Sequence, residues 1–134
     1  GTILLNIRTY RPQHFRRLIA RSSDGGKTFS EPVEDPALVD PVCQASLLRL
    51  SERGDELLFS NPASTRRQRL TVRLSPDGGK TWPHARLLHE GPAAYSCLAL
   101  LPDGTCACLY EAGTQHPYQT LTFARFSRRS LTQP

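Results

Sequence analysis

Apolar residues recur along the chain in short bursts that alternate with small or polar ones. Nowhere does a three-four apolar spacing persist for the length of a helix. This pattern predicts strands at Ile3 to Arg8, Arg17 to Ser22, Arg69 to Leu74, a short one at Arg86 to His89, and a closing one at Tyr118 to Phe126. Ala45 to Leu50 and Glu56 to Ser60 read as a hairpin around Glu52-Arg53-Gly54. The segment from Phe29 to Ala45 is punctuated by prolines and reads as a link. The clearest pair of strands lies between Pro92 and Gly113: Tyr95 to Leu101, a turn at Pro102-Asp103-Gly104, and a return from Thr105 to Tyr110. Tyr95, after two alanines, opens this hairpin and Glu111 closes it, so both belong to the same open end. Taken alone, each is an ordinary strand-end residue, an amphipathic rim tyrosine and a solvated glutamate.

Two glycine-rich segments form an internal repeat. SSDGGKTF (Ser22 to Phe29) and SPDGGKTW (Ser75 to Trp82) share serine, aspartate, glycine, threonine and a final aromatic, and Phe29 and Trp82 stand 53 residues apart. That spacing holds one four-stranded antiparallel unit with its loops, the period of a propeller blade. The aspartate can accept hydrogen bonds from its own turn, the glycines allow positive φ, and the aromatic tucks beneath. Repetition at blade spacing marks Asp24 and Asp77 as structural staples, not calcium ligands or catalytic acids. Both aromatics are expected to be buried, in equivalent places, each in the turn before a blade's last strand.

Composition changes this picture little. The 134 residues, with eleven prolines and nine glycines, make one all-β domain's worth of chain. No run of about twenty apolar residues exists to span a membrane. The opening GTILLNIRTY has neither a basic region nor a long apolar one, so it does not read as a signal peptide. It reads as a strand already under way, which predicts that the chain begins inside a larger protein. The net charge is +5, from 17 Lys plus Arg against 12 Asp plus Glu, and Lys27 and Lys80 are the only lysines. The pairs Arg16-Arg17, Arg66-Arg67 and Arg128-Arg129 could mark a nucleic-acid surface, but no aromatic-interleaved basic stretch accompanies them. A solvated basic surface with one or two arginines diverted to an anion site fits better, because the planar guanidinium matches a carboxylate bidentately. Cys43, Cys97, Cys106 and Cys108 form no CxxC pair and read as small buried hydrophobes, which fits a reducing compartment without assigning one. His14, His84, His89 and His116 show no metal-ligand spacing, so neither a metal nor a cofactor is expected.

The two repeats resemble the Asp boxes of the sialidase (neuraminidase) superfamily. The resemblance extends to LLFSNPASTRRQRLTVRLS (Leu57 to Ser75), AAYSCL and CLYEAG, and is to the later blades of exo-sialidases of the bacterial and animal cellular type. It implies a six-bladed β-propeller, present here as a partial propeller of about half, with residues 1–134 as the C-terminal part of the catalytic domain. It also implies that Arg8, in LNIRTY, is the second arginine of a triad gripping the substrate carboxylate. Arg67 would be the third, with Arg66 and Arg69 close enough in sequence to compete for that place. Tyr95 would be the nucleophile, and Glu111 the carboxylate that orients the first arginine. That first arginine, the acid-base aspartate and the glutamate paired with the tyrosine would all lie upstream of a position like Gly1, with the remaining blades.

The implied chemistry is coherent. Sialic acid carries a carboxylate on its anomeric carbon, so an Asp or Glu nucleophile would approach a like charge. A phenol delivers oxygen without that repulsion. The expectation is a retaining exo-α-sialidase acting on sialylated glycoconjugates, with this chain alone inactive. The alternative, a non-catalytic Asp-box propeller used for binding, shares Asp24 and Asp77 and differs at Tyr95 and Arg67.

Overall fold

A computed structural model describes residues 1–10 and 14–133. The described residues form β1 (Ile3–Ile7), β2 (Arg16–Ser22), β3 (Val33–Val39), β4 (Ser46–Arg49), β5 (Leu57–Pro62), β6 (Gln68–Ser75), β7 (His84–Leu100), β8 (Cys106–Ala112), β9 (Thr120–Phe126) and a single helical turn, α1 (Arg129–Thr132). Every pairing is antiparallel and between chain neighbours: a three-stranded sheet β1-β2-β3 and a curled six-stranded sheet running from β4 to β9.

The six-stranded sheet divides within β7. Its first half pairs with β6, ending near Gln68 opposite Pro92, and its second half pairs with β8 from Ala93 opposite Ala112 onward. The sequence pattern suggested two strands, Arg86 to His89 and Tyr95 to Leu101; the backbone stays extended between them. β4, β5, β6 and the first half of β7 make one complete four-stranded blade. β1-β2-β3 precedes it and the second half of β7 with β8 and β9 follows it.

Two further expectations are corrected. The link after Phe29 contains β3, with Pro36 inside it. β3 is an edge strand, where a missing N–H costs no ladder bond. Of the two repeat aromatics only Trp82 is buried, at 9% exposure against 40% for Phe29. Trp82 meets Phe59 with ring centroids 5.7 Å apart and donates its indole N–H to Asp35 of the neighbouring sheet at 3.1 Å. Among the described residues no further sheet lies outside β1-β2-β3 to cover Phe29.

The Asp boxes themselves are nearly superimposable in their bonding. Asp24 Oδ1 accepts the amides of Lys27 and Thr28, each at 3.0 Å, and Oδ2 accepts the Thr28 hydroxyl at 2.6 Å. Asp77 repeats this with Lys80 at 3.0 Å, Thr81 at 2.9 Å and the Thr81 hydroxyl at 2.7 Å. Gly26 and Gly79 close the turns at φ +89° and +75°, a region that side chains strain to enter. The bonds, led by the threonine hydroxyls, hold both carboxyls well below the usual carboxylate range. The boxes occupy the β2-β3 and β6-β7 connections.

The core is layered between blades. Leu58, Leu70, Val72, Leu74, Leu98 and Phe126 belong to one cluster, and Phe59 joins Ile19, Leu38 and Trp82 in the other. Adjacent Leu58 and Phe59 on β5 therefore face opposite cores, which is why Leu57-Leu58-Phe59 reads as an unbroken apolar stretch. The outer faces are left open: Leu121 (71% exposed) and Phe123 (61%) on β9, and Val33 (62%) on β3. Three cysteines are buried, as expected, but Cys97 is exposed, and all four are free thiols.

Candidate active site

Antiparallel alternation puts the β1-β2, β3-β4, β5-β6, mid-β7 and β8-β9 connections at one end of the blades and both Asp boxes at the other. Arg8, Arg67, Tyr95 and Glu111 all belong to the first end. Arg67 immediately precedes β6 and Asp77 follows it, so the two are separated by roughly 23 Å of strand at about 3.3 Å per residue. The loop that follows Arg8 lies partly outside the described residues.

The geometry brings the four expected residues together around Tyr95. The β7-β8 register shifts between Ala93, opposite Ala112, and Ser96, opposite Tyr110, leaving one extra residue on β7. Bulges of this kind redirect a side chain and release an amide from the ladder. Here the Tyr95 side chain turns outward, 41% exposed, and its amide donates instead to Glu111 Oε2 at 3.0 Å. Arg8 Nη1 donates to the Tyr95 hydroxyl at 3.4 Å. The Arg67 guanidinium carbon lies 5.6 Å from the Tyr95 ring centroid.

Arg67 is separated from its competitors by this geometry. It donates through Nη1 to the Tyr118 hydroxyl and through Nη2 to the Val42 carbonyl at 3.3 Å. Arg69, at φ +62°, turns away to an exposed pair with Glu90 at 3.4 Å, and Arg66 is exposed. Neither Arg8 nor Arg67 meets a carboxylate among the described residues, and Arg8 Nε is buried with no acceptor. Two guanidiniums from different blades thus converge on one phenol with donor capacity to spare. Such an arrangement is suited to hold an anion against that phenol.

Beneath the arginines lies a buried polar knot. Arg17, 4% exposed, donates Nε to Asn6 Oδ1 at 2.6 Å, Nη1 to the Cys43 carbonyl at 2.8 Å, and Nη1 to Asp40 Oδ1 at 3.4 Å. Asp40, 2% exposed, also accepts from the Cys43 amide at 3.1 Å and Asn61 Nδ2 at 3.3 Å. Burial lowers the Arg17 basicity, opposed by Asp40, and burial pushes the Cys43 thiol up to about 11. The knot ties Asn6, two residues before Arg8, to the 40–43 loop whose Val42 carbonyl meets Arg67. Val42 reaches that place at φ +60°, an uncommon conformation for a β-branched residue.

Sequence reasoning missed two residues here. Tyr118, 55% exposed, braces Arg67 from the β8-β9 loop, and Gln44 bonds the strand that carries Tyr95. The sequence pattern put Tyr118 at the start of the closing strand, but β9 begins at Thr120 and Tyr118 lies in the loop before it; an aromatic a few residues beyond Glu111 was its only signal. Gln119 Oε1 gathers the amides of Thr114 and Gln115, and a Cβ on Gly113 would meet the His116 carbonyl at 2.1 Å, so this loop requires glycine.

The BNR repeat-like domain family matches residues 1–108. The chain belongs to that family, within the sialidase superfamily. Its sialidase relatives include a sialidase of Micromonospora viridifaciens, 40% identical over 132 residues that cover 92% of this chain and 20% of the relative. Among solved structures, the Hadza microbial sialidase Hz136 matches with TM-score 0.78 and 32% identity, over 98% of this chain and 26% of that one. The NanB sialidase of Streptococcus pneumoniae shows the same fold at TM-score 0.81 and 18% identity, over 98% of this chain and 22% of that one. The fold is therefore a partial sialidase β-propeller, and the chain spans only a fifth to a quarter of these relatives.

Proposed function

We propose that this chain forms the C-terminal part of the propeller of a retaining exo-α-sialidase, six-bladed when complete. The observation that carries this reading is the convergence of Arg8 and Arg67, neither paired with a carboxylate among the described residues, on the exposed phenol of Tyr95. In this reading the two arginines grip the substrate carboxylate and present the anomeric carbon to Tyr95. The Tyr95 oxygen attacks that carbon as the aglycone leaves, and water then releases sialic acid with net retention. Glu111 holds the Tyr95 amide and so fixes the bulge that aims the ring. The carboxylates that manage the protons, and the first arginine that Glu111 would also orient, come from blades beyond these. Those blades would cover the open faces at Val33 and at Leu121 and Phe123. The substrate is a sialylated glycoconjugate; nucleic acid plays no part.

The test is turnover of a fluorogenic sialoside by the complete polypeptide that carries this chain. Tyr95→Phe keeps the ring and removes the oxygen, so turnover should fall by about a thousandfold or more while sialic acid still binds. Equal turnover by the variant sinks the mechanism. Sialic acid binding without turnover by the unmodified protein favours a binding propeller instead.

A further inference from the structure

The second half of β7 has no backbone ladder to β4, although the two strands face each other across adjacent blades. Side chains take the place of the ladder. Gln44 Oε1 accepts the Ser96 amide at 3.0 Å, and Gln44 Nε2 donates to the Ser96 carbonyl, also at 3.0 Å. One planar amide thus satisfies both backbone groups of the residue next to Tyr95, as a strand partner would. Its remaining N–H goes to the Ala45 carbonyl at 3.0 Å. The Ser96 hydroxyl bonds Ser60 Oγ at 2.8 Å and is 3.2 Å from the Ser60 carbonyl, and Ser46 Oγ accepts the Leu98 amide at 3.0 Å.

We infer that Gln44 is a positioning residue for Tyr95, an inference that rests on the hydrolase reading above. The bulge at Ala94-Tyr95 removes regular ladder support where the nucleophile must be placed. Glu111 holds the amide of Tyr95, and Gln44 holds both backbone groups of Ser96, so the peptide on each side of the Tyr95 Cα is fixed by a side chain. Gln44 is itself anchored. It continues the 40–43 loop, which Asp40 clamps at the Cys43 amide and whose Val42 carbonyl meets Arg67. The six-residue β3-β4 connection therefore sets both the arginine and the phenol, coupling the carboxylate grip to the point of attack. Gln44 spends its amide on Ser96 and Ala45 and acts through Tyr95 instead of touching the substrate. A misplacement of about 1 Å at the nucleophile can cost on the order of a hundredfold in rate.

The experiment measures amide hydrogen exchange and steady-state kinetics in the complete polypeptide carrying Gln44→Ala, and separately Gln44→Glu. The glutamate keeps the shape but turns an acceptor onto the Ser96 and Ala45 carbonyls. In Gln44→Ala the Ser96 amide should exchange at least about tenfold faster, while the Leu98 amide, held by Ser46, stays protected and certifies the fold; Gln44→Glu keeps an oxygen on the Ser96 amide and tests the loss of the bonds to the two carbonyls. In both variants kcat should fall about 10- to 100-fold and KM stay within about twofold, since the arginine grip is kept. Unchanged Ser96 exchange in Gln44→Ala overturns the inference, and so does faster exchange there with unchanged kcat. A wild-type protein without turnover is a separate result: it sinks the hydrolase reading and the catalytic use of Gln44 with it. An active wild type with indifferent variants sinks the Gln44 inference alone.

Discussion

Arg67→Lys isolates geometry from charge at the proposed carboxylate grip. The guanidinium is held by two bonds, Nη1 to the Tyr118 hydroxyl and Nη2 to the Val42 carbonyl, which leave one N–H on each terminal nitrogen to turn toward a ligand. Lysine keeps the positive charge but concentrates its donors on one nitrogen, which cannot serve both the brace and a two-oxygen ligand. The expected loss is one charge-assisted hydrogen bond, about 1.5–3 kcal/mol, with the Coulomb attraction largely retained. That corresponds to about 10- to 150-fold in kcat/KM. The assay is hydrolysis of a fluorogenic sialoside by the complete polypeptide, with the Kd of free sialic acid measured alongside. Arg69→Lys is the internal control: its pair with Glu90 is 46% and 81% exposed, and such surface pairs contribute at most about 1 kcal/mol, none of it at the site. Arg67→Lys within about threefold of wild type, or a loss that follows Arg69, would falsify the assignment of Arg67 as the gripping arginine.

Asp77→Asn should lower Tm and leave kcat of the folded protein largely unchanged. The folded Asp77 carboxyl titrates below its unfolded value of about 4, so its bonds stabilise the protein above that pH and the contribution is lost as pH falls toward the folded value. The Tm gap between wild type and variant should therefore narrow on acidification below about pH 4, and a gap that widens refutes the account. Thiol alkylation at neutral pH should label exposed Cys97 first and buried Cys43, Cys106 and Cys108 only on unfolding. Mass spectrometry of partly labelled protein checks this, and early modification of Cys43 contradicts its burial. The 134-residue chain alone should self-associate through its open faces, and Leu121→Lys with Phe123→Lys should reduce that association in light scattering.

What could be read in the linear chain is what short-range chemistry decides. The Asp boxes were legible because each closes on itself within eight residues, Asp24 and Asp77 bonding, among the described residues, only their own turns. The Tyr95-Glu111 pairing was legible because a hairpin turn brings those positions together whatever surrounds them. Strand positions followed from apolar alternation, failing where that signal is diluted: at β3, whose edge position tolerates Pro36, and across Gly91-Pro92, where β7 continues.

Only the tertiary structure decided which arginine lies against Tyr95. Arg66, Arg67 and Arg69 are equivalent by composition, and the positive φ of Arg69 with the brace from Tyr118, 51 residues away, separates them. Gln44 was invisible for the same reason, its partner Ser96 lying 52 residues on. The burial of Trp82 but not Phe29 was settled by the presence of a second sheet against one and not the other. A residue whose role is set by its own turn announces itself in sequence. A residue whose role depends on the packing of separate blades does not, because the free energy that places it belongs to contacts between distant segments.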